Sequence, residues 1–324
     1  MTSTEQQPLG SPFSAASTAQ DVTAGLDLSG RTAVVTGGYS GLGLETTRAL
    51  AAAGARVVVP ARRPDVARAA LAGVPGETEV VAMDLCDLGT VRAAAAHLRE
   101  TLTAIDLLFA TAGVMATPER RVGPGWESQF AANHLGHFAL ACELYPLLAA
   151  AGDGARVVVY SSGAHGITDI RWHDPHFRTG YDKWHAYGQA KTANALFAVH
   201  LDALGRGDGV RAFALHPGSI MTGLQREMTF QEQIDNGWVD EQGTVIGPGF
   251  KTPSQGAATG LWAATSPLLA GRGGLFLEDC EVAGLYDPES PEGEGVRAYA
   301  VDPGGAARLW ELSVAATGAA PIGG

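Results

Sequence analysis

The chain has 324 residues, 46% of them hydrophobic and 17% charged, and a net charge of −12 at pH 7. This composition predicts a globular protein with a large core and excludes a disordered chain, and the acidic balance argues against nucleic-acid binding. The three cysteines have no metal-type spacing, and neither a secretion signal nor an apolar run of about 18 residues occurs. We therefore expect a cytoplasmic protein without a metal, a nucleic-acid partner or a membrane segment.

Residues 1–26 are rich in Ser, Thr, Gln, Ala and Pro and show no hydrophobic period, which predicts a flexible N-terminal arm. We expect residues 27–324 to form one domain, because no linker or repeat interrupts them. Short β-branched runs alternate there with Ala/Leu-rich stretches of helical spacing. This alternation predicts an α/β fold with a doubly wound, Rossmann-like parallel sheet in three layers. The predicted strands are 32–36, 56–59, 79–82, 107–110, 156–160, 211–215 and 275–277.

A glycine-rich turn joins the first predicted strand to a helix, with the sequence Thr36-Gly37-Gly38-Tyr39-Ser40-Gly41-Leu42-Gly43. The first glycine permits a tight turn, and the last two permit close approach of the backbone to a pyrophosphate at the helix N-terminus. The alternative is an ordinary strand–helix turn in a chain that holds 43 glycines. Because a strand precedes the turn and a helix follows it, we interpret its residues as a nucleotide-binding site.

The next strand ends indicate which nucleotide binds. The second strand ends in Pro60-Ala61-Arg62-Arg63, and no acid stands there to bond a ribose 2′-hydroxyl. Arg62 suits a 2′-phosphate, which favours NADP over NAD, and a solvated loop arginine is the alternative. Asp84, with Leu85 beside it, either accepts from an adenine amino group or caps the next helix. The fourth strand ends in Thr111-Ala112-Gly113, where small residues let a cofactor lie against the backbone.

Four polar side chains are candidates for chemistry. Asn133 lies inside a predicted helix, where asparagine is mildly unfavourable, so either a polar role or a solvated face explains it. Ser162, after Ser161, ends the fifth strand and either bonds a substrate carbonyl or completes a turn. Tyr187 and Lys191 share one helix face, where the ammonium would lower the pKa of the phenol. A chance pair on a solvated face is the alternative for them.

Two further runs contain groups of the kind that bind ligands. After the sixth strand, Pro217-Gly218-Ser219-Ile220-Met221-Thr222 forms a turn that could present backbone groups and a hydroxyl to a carboxamide, or could be purely structural. The run Trp172-His173-Asp174-Pro175-His176 contains metal-type side chains. Its proline breaks any common helix face, so no metal site is predicted there.

With these motifs in order, residues 28–280 resemble a short-chain dehydrogenase/reductase, in the branch of the retinol dehydrogenases, the WW-domain oxidoreductase and protochlorophyllide reductase. Four features are similar to that branch: Ala61-Arg62, Ser162-Gly163-Ala164-His165, the insert 166–186, and the tail Gly274-Leu275-Phe276-Leu277-Glu278-Asp279-Cys280. The chain departs from the family's Asn-Asn-Ala-Gly, which reads Ala110-Thr111-Ala112-Gly113 here. We expect the Thr111 hydroxyl to hydrogen-bond in place of asparagine.

The resemblance implies a role for each candidate. Tyr187 would be the general acid or base, and Lys191 would hold the ribose hydroxyls and lower the pKa of the tyrosine. Ser162 would orient the substrate oxygen, and Asn133 would hold a water in a proton relay through Lys191.

These roles predict an NADP-dependent oxidoreductase that transfers hydride between nicotinamide and the carbonyl or alcohol of a small, hydrophobic substrate. A catalytically silent NADP-binding regulator is the alternative, and a homo-oligomer is compatible with the sequence. We expect the segments near 165–186 and 219–252 to wall the substrate pocket, although their side chains could simply pack under long loops. The candidate wall residues are Trp172, Phe177, Tyr181, Trp184, Met228, Phe230 and Trp238.

Overall fold

The computed structural model describes residues 6–289, 295–320 and 322. The strands in this part are β1 Thr32–Val35, β2 Arg56–Ala61, β3 Thr78–Ala82, β4 Leu107–Ala110, β5 Arg121–Val122, β6 Trp126–Glu127, β7 Ala155–Tyr160, β8 Val210–His216, β9 Leu275–Glu278 and β10 Glu281–Val282. Eight of them form one sheet in the order β10-β9-β8-β7-β4-β1-β2-β3, in which only the β9–β10 pair is antiparallel. Each predicted strand is found in that sheet.

Helices cover both faces of the sheet. They are α1 Ala19–Thr23, α2 Gly41–Ala52, α3 Pro64–Leu71, α4 Leu88–Thr101, α5 Ser128–Phe130, α6 Gly136–Ala149, α7 Lys183–Gly205, α8 Phe230–Asp235, α9 Pro253–Thr265 and α10 Pro303–Thr317. One core lies between the sheet and α4, α6, α7 and α10, and a second lies between the sheet and α1, α2 and α9. The strands are buried on both faces, so their sequences read as continuous apolar runs. The predicted three-layer, doubly wound fold is confirmed.

The N-terminal segment departs from the expected flexible arm, of which residues 1–5 lie outside the described part of the chain. Gln6 is only 4% exposed, and its amide nitrogen donates to the carbonyl oxygens of Phe276 at 2.6 Å and Ala283 at 2.7 Å. The backbone N–H groups of residues 9, 10 and 11 converge on the carboxylate of Glu281 at 2.7–2.8 Å. Ala19 and Val22 of α1 are buried in the core that α1 shares with α9.

Residues 6–26 are therefore anchored, which corrects the expectation for that part of the arm. The contacts that hold it include one side-chain amide, three backbone N–H groups, hydrogen bonds between residues 16–20 and the side chains of Ser254 and Gln255, and a single helical turn. None of these leaves a hydrophobic period in the sequence, since a periodic stripe needs several turns of helix or a long strand.

Deleting residues 2–25 should lower the melting temperature by several degrees. Full burial of a side chain such as Leu or Val stabilises a fold by about 1.5–3 kcal/mol, and about 1 kcal/mol moves the melting temperature of a chain of 150–250 residues by ~2–4 °C. Thermal unfolding of the truncated and full chains would measure the change. Ala15→Ser, at an exposed position of the same segment, is the matched control and should melt with the wild type. A truncated protein that also melts with the wild type would contradict the packing described.

Candidate active site

The glycine turn between β1 and α2 brings the start of the helix close to the strand end. Gly37 and Gly41 adopt φ of +66° and +51°, which residues with a Cβ rarely adopt. A Cβ on Gly43 would stand 2.4 Å from the Gly37 carbonyl oxygen, so the helix can approach the turn this closely only without a side chain. Ser40, at the N-cap of α2, makes no side-chain hydrogen bond to the helix. The cradle and the free helix N-terminus fit a dinucleotide pyrophosphate.

The ends of β2 and β3 flank this turn. Arg62 is exposed after β2 and, within the described residues, makes no ion pair. The Asp84 carboxylate accepts from the backbone N–H of Cys86 at 3.0 Å, and the side chain that caps α4 is Asp87, which accepts from the N–H of Gly89. Asp84 therefore does not cap α4, which was one of the two interpretations of this residue. The carbonyl oxygen of Leu85 packs against Gly136, the first residue of α6. A Cβ on Gly136 would stand 2.3 Å from that oxygen.

A buried hydrogen-bond network joins the glycine turn to the end of β4. The Thr36 hydroxyl oxygen accepts from the N–H groups of Thr111 at 2.9 Å and Ala112 at 3.1 Å. It also lies 2.8 Å from His137 Nε2, while His137 Nδ1 lies 3.0 Å from the carbonyl of Asn133. Because a carbonyl only accepts, Nδ1 carries the proton and Nε2 accepts from Thr36. Burial lowers the pKa of His137 to about 4, so the ring is neutral at pH 7.

This network bonds the strand end where the family's asparagines are replaced and where we expected a hydrogen bond from the Thr111 hydroxyl. The Thr111 hydroxyl is buried and has no hydrogen-bond partner among the described residues, so that expectation was wrong. Thr36 and His137 make the bonds instead, and His137 was missed because one histidine in an apolar helix carries no spacing signal.

Asn133 lies in a π-helical turn, Ala131–Leu135, that connects α5 to α6. Such turns are rare and frequently occur at functional sites. Asn133 is fully buried, its amide nitrogen donates to the Val114 carbonyl at 2.9 Å, and its oxygen accepts from the Val114 N–H at 2.8 Å. A Cβ on Gly113 would stand 3.1 Å from the same oxygen and 3.9 Å from Lys191 Nζ. The solvated-face interpretation of Asn133 is therefore excluded.

Ser162, Tyr187 and Lys191 meet beyond the end of β7. Tyr187 and Lys191 are 3% and 5% exposed, and the Lys191 ammonium donates to the carbonyl of Tyr160 at 2.9 Å. Ser161 donates its hydroxyl to the Lys191 carbonyl at 2.7 Å, which holds α7 against the strand. Of the two adjacent serines, Ser162 is therefore the one whose side chain is left to face Tyr187.

The pKa of Tyr187 is shifted in the direction opposite to the sequence prediction. Burial raises it to about 12, although a hydrogen bond from Ser162 lowers it in part. Burial also lowers the pKa of Lys191 to about 8, and its ammonium lies 5.6 Å from the centre of the tyrosine ring, beside the Tyr160 carbonyl. The effect of burial on the pKa of Tyr187 is thus larger than the opposite effect of the neighbouring Lys191 ammonium. The phenol is held protonated at neutral pH, in the form that donates a proton.

The loop after β8 crosses the glycine turn. A Cβ on Gly41 would lie 3.5 Å from Thr222, and Ile220, 7% exposed, reaches the start of α9. Pro217 precedes Gly218, which has φ of +95°. The Lys251 side chain lies over Gly218 and forms an ion pair with Asp279. The Thr222 hydroxyl accepts from the Leu224 N–H at 3.1 Å. Its proton remains available for a ligand.

An apolar cluster surrounds the Tyr187 ring. Its buried members are Met115, Ala116, Tyr187 and Met228, and its partly buried members are Ala164, Trp184, Leu224 and Trp238. The ring of Trp184 lies edge-on to Tyr187 at 6.5 Å and to Trp238 at 6.2 Å. Ala116 adopts φ of +49°, an uncommon conformation for a residue with a Cβ. The cluster places thioether and indole side chains beside the phenol.

The predicted wall residues are therefore only partly in place. Trp184, Met228 and Trp238 lie in this cluster, but Trp172 packs under Arg308 at 4.3 Å. The remaining three are elsewhere as well: Phe177 and Tyr181 pack against each other in the insert, and Phe230 is 51% exposed. Met115 and Leu224 were missed, because single apolar residues in loops carry no period.

The described part of the chain contains no cluster of three His, Cys, Asp or Glu side chains arranged for a metal ion. No helix there is long and apolar enough to span a bilayer. A surface cavity of about 450 Å³ lies in the insert, lined by residues that include Arg171, Phe177 and His185, and it contains none of the catalytic candidates.

The doubly wound sheet and its glycine cradle define a dinucleotide-binding protein, and a family model described as short chain dehydrogenase matches residues 31–233. A Streptomyces lividans protein named "Probable oxidoreductase" is 48% identical over 294 residues, 88% of this chain and 97% of that one. Mouse retinol dehydrogenase 12 is 34% identical over 264 residues, 80% and 81% of the two chains. A solved structure of an uncharacterized Mycobacterium paratuberculosis protein has a TM-score of 0.72 and 33% identity, and covers 95% of this chain and 100% of that one.

This chain belongs to the short-chain dehydrogenase/reductase family, in the branch that includes the retinol dehydrogenases. It is accordingly an NAD(P)-dependent oxidoreductase that acts on a small-molecule substrate.

Proposed function

We propose that this enzyme uses NADP to interconvert a carbonyl and an alcohol on a small, apolar substrate, with Tyr187 as the proton donor in the reductive direction. The observation that carries the proposal is that the partly exposed Ser162 meets the buried Tyr187 and Lys191 beneath a cluster of Met and Trp side chains. A silent regulator on the same fold would not require the three groups to meet in an apolar site. When bound, the cofactor supplies the hydride.

The residues that would hold the cofactor line the carboxyl edge of the sheet. The glycine turn would take the pyrophosphate, Arg62 the 2′-phosphate, and Asp84 with Leu85 the adenine. The ribose and nicotinamide would lie along Ala112, Gly113 and Lys191, near the loop residues Pro217, Gly218, Ile220 and Thr222. The preference for NADP rests on the guanidinium of Arg62, which makes no ion pair in the part of the chain that the structure describes, since a planar fork of N–H donors suits a phosphate.

The proton chemistry follows from the positions of four side chains. Ser162 and Tyr187 would hold the substrate oxygen between two hydroxyl groups. Tyr187 then donates its proton as negative charge develops on that oxygen. The Lys191 ammonium offsets the negative charge left on the phenolate. Asn133 supports the relay behind Lys191, because its side chain fixes the backbone at residues 113 and 114.

The substrate class follows from the cluster around Tyr187. Met115, Met228, Trp184 and Trp238 offer thioether and indole surface and no charged group, so they favour an aromatic or branched aliphatic carbonyl over a carboxylated or sugar-like one.

Initial rates of NADPH oxidation with paired carbonyls test this assignment. Each pair should share the reacting group and differ in one substituent, such as a phenyl-bearing ketone and its carboxylate analogue. We expect turnover with the apolar member of each pair. Its kcat/KM should be at least about tenfold above that of the charged analogue, because a charge buried in such a site has no counter-charge. Turnover should also be faster with NADPH than with NADH. No turnover of any carbonyl or alcohol with either cofactor would support the silent regulator instead.

A further inference from the structure

The peptide group between Ser162 and Gly163 is held on both sides by imidazole rings. The Ser162 carbonyl oxygen accepts from His165 Nδ1 at 2.7 Å and from the His165 backbone N–H at 3.1 Å. The Gly163 N–H donates to His216 Nδ1 at 2.9 Å. One ring follows Ser162 in a short turn, Gly163–Ile167, and the other ends β8. The peptide that carries the serine is therefore fixed from two separate elements.

The hydrogen-bond partners determine the tautomer of each ring. The Ser162 carbonyl can only accept, and the Arg297 N–H, which points at His165 Nε2 at 3.1 Å, can only donate. His165 is therefore neutral with its proton on Nδ1. His216 accepts through Nδ1, so its neutral form carries the proton on Nε2, which faces Glu278 at 3.8 Å. Burial lowers the pKa of both rings, that of His216 to about 4, and both are neutral at pH 7.

His165 is itself held firmly. It is 4% exposed, its ring lies 4.7 Å from the ring of Phe276 in β9, and its own carbonyl accepts from the Tyr299 hydroxyl at 2.7 Å. The hydroxyl of Thr192 in α7 lies 3.2 Å from the same carbonyl and 2.7 Å from the Thr168 carbonyl, so its one proton is shared between them. The position of His165 is thus set by β9, by α7 and by the segment that precedes α10.

Ser162 is constrained at its side chain as well. Its hydroxyl oxygen accepts from the Ala164 N–H at 3.2 Å, so the hydroxyl proton is left for Tyr187. The backbone of Ser162 is extended, with φ −170° and ψ 161°. Fixing the following peptide plane fixes this ψ, and with it the direction of the serine side chain.

We propose that His165 and His216 are positioning residues, which clamp the Ser162–Gly163 peptide so that the Ser162 hydroxyl faces the Tyr187 hydroxyl. This inference rests on the proposed function, because the alignment of the two hydroxyls matters only if they share a substrate oxygen. Neither histidine exchanges a proton with the substrate.

Asn and Gln variants at position 165 separate positioning from packing. The amide nitrogen of Asn can take the place of Nδ1 and keep the bond to the Ser162 carbonyl, whereas the longer Gln amide reaches the place of Nε2 and loses that bond. Both lose the ring contact with Phe276, so both should melt lower than the wild type by similar amounts. Because misplacement of a reacting group by ~1 Å can cost about 10²-fold, we expect His165→Gln to lower kcat at least about tenfold, with the KM for NADPH unchanged.

The conservative variant should rescue activity: His165→Asn should keep kcat within about threefold, since it retains the hydrogen bond that fixes the peptide. His216→Asn and His216→Gln should follow the same order, because the Asn oxygen can take the place of Nδ1 as acceptor for the Gly163 N–H. Equal losses of kcat in the Asn and Gln variants, or a full kcat in both, would show that the rings only pack.

A second measurement does not depend on turnover. Long-range ¹H–¹⁵N correlation spectra of the full-length protein should show His165 protonated on Nδ1 alone and His216 on Nε2 alone at pH 7. The opposite tautomer at either ring would overturn the clamp. A wild type that turns over no carbonyl would refute the proposed function, while these spectra would still decide whether the peptide is held as described.

Discussion

Tyr187→Phe should lower kcat by about 10²–10⁴-fold, the range that a positioned general acid contributes. The substitution removes the hydroxyl that would donate the proton and keeps the ring, which packs against Trp184 and the two methionines. Affinity for NADPH and the melting temperature should change little, since in the described part of the chain the lost hydroxyl bonds to Ser162 alone. Steady-state rates on the best apolar carbonyl and cofactor titration by fluorescence measure the two quantities.

Tyr181→Phe is the matched control for that experiment. It removes a tyrosine hydroxyl from the insert that precedes Tyr187, where the hydroxyl donates to the Thr117 carbonyl at 2.8 Å. Its kcat should stay close to that of the wild type. If Tyr187→Phe retained more than about a tenth of wild-type kcat, far above the range for loss of a general acid, the role given to Tyr187 would be wrong.

Arg62→Asp should shift the ratio of kcat/KM for NADP(H) over NAD(H) by about tenfold or more toward NAD(H), because a hydrogen bond to a charged group contributes about 1.5–3 kcal/mol. The change removes a guanidinium that has no other ion pair in the described chain and adds a carboxylate that repels a 2′-phosphate. Dissociation constants of NADP⁺ and NAD⁺ should shift in the same direction without any substrate present.

Arg68→Asp makes the same change in net charge on exposed α3, where the arginine pairs only with Asp65 at the surface. It should leave the cofactor ratio near that of the wild type, since surface ion pairs contribute little. An unchanged ratio in Arg62→Asp would identify Arg62 as a solvated loop residue and would remove the argument for NADP.

The sequence predicted those elements whose hydrophobic residues form a regular pattern. The parallel strands read as apolar runs and the helices between them as Ala/Leu-rich stretches, so the sheet and its carboxyl edge followed directly. The glycine turn, Tyr187 and Lys191 could be placed because each has a fixed spacing within one element. The structure places those residues in the turn and the helix that the sequence predicted for them.

What escaped prediction depends on contacts between distant parts of the chain. Gln6 binds β9 across 270 positions, and His137 bonds Thr36 across 101 positions. The pKa of Tyr187 was predicted in the wrong direction because spacing shows that Lys191 is near, but not how deeply the phenol is buried. Burial of an individual side chain is set by packing from several elements, which a local pattern does not contain.

The most direct test of the proposed chemistry follows a label. The wild-type enzyme would be given an apolar ketone and NADPH that carries deuterium at the transferable position, and the alcohol product would be analysed by mass spectrometry. We expect one deuterium on the former carbonyl carbon for each NADPH consumed. We also expect Tyr187→Phe to form the same labelled product at a rate lower by about 10²–10⁴-fold. Cofactor oxidation without label in the product, or no oxidation with any carbonyl, would contradict the account.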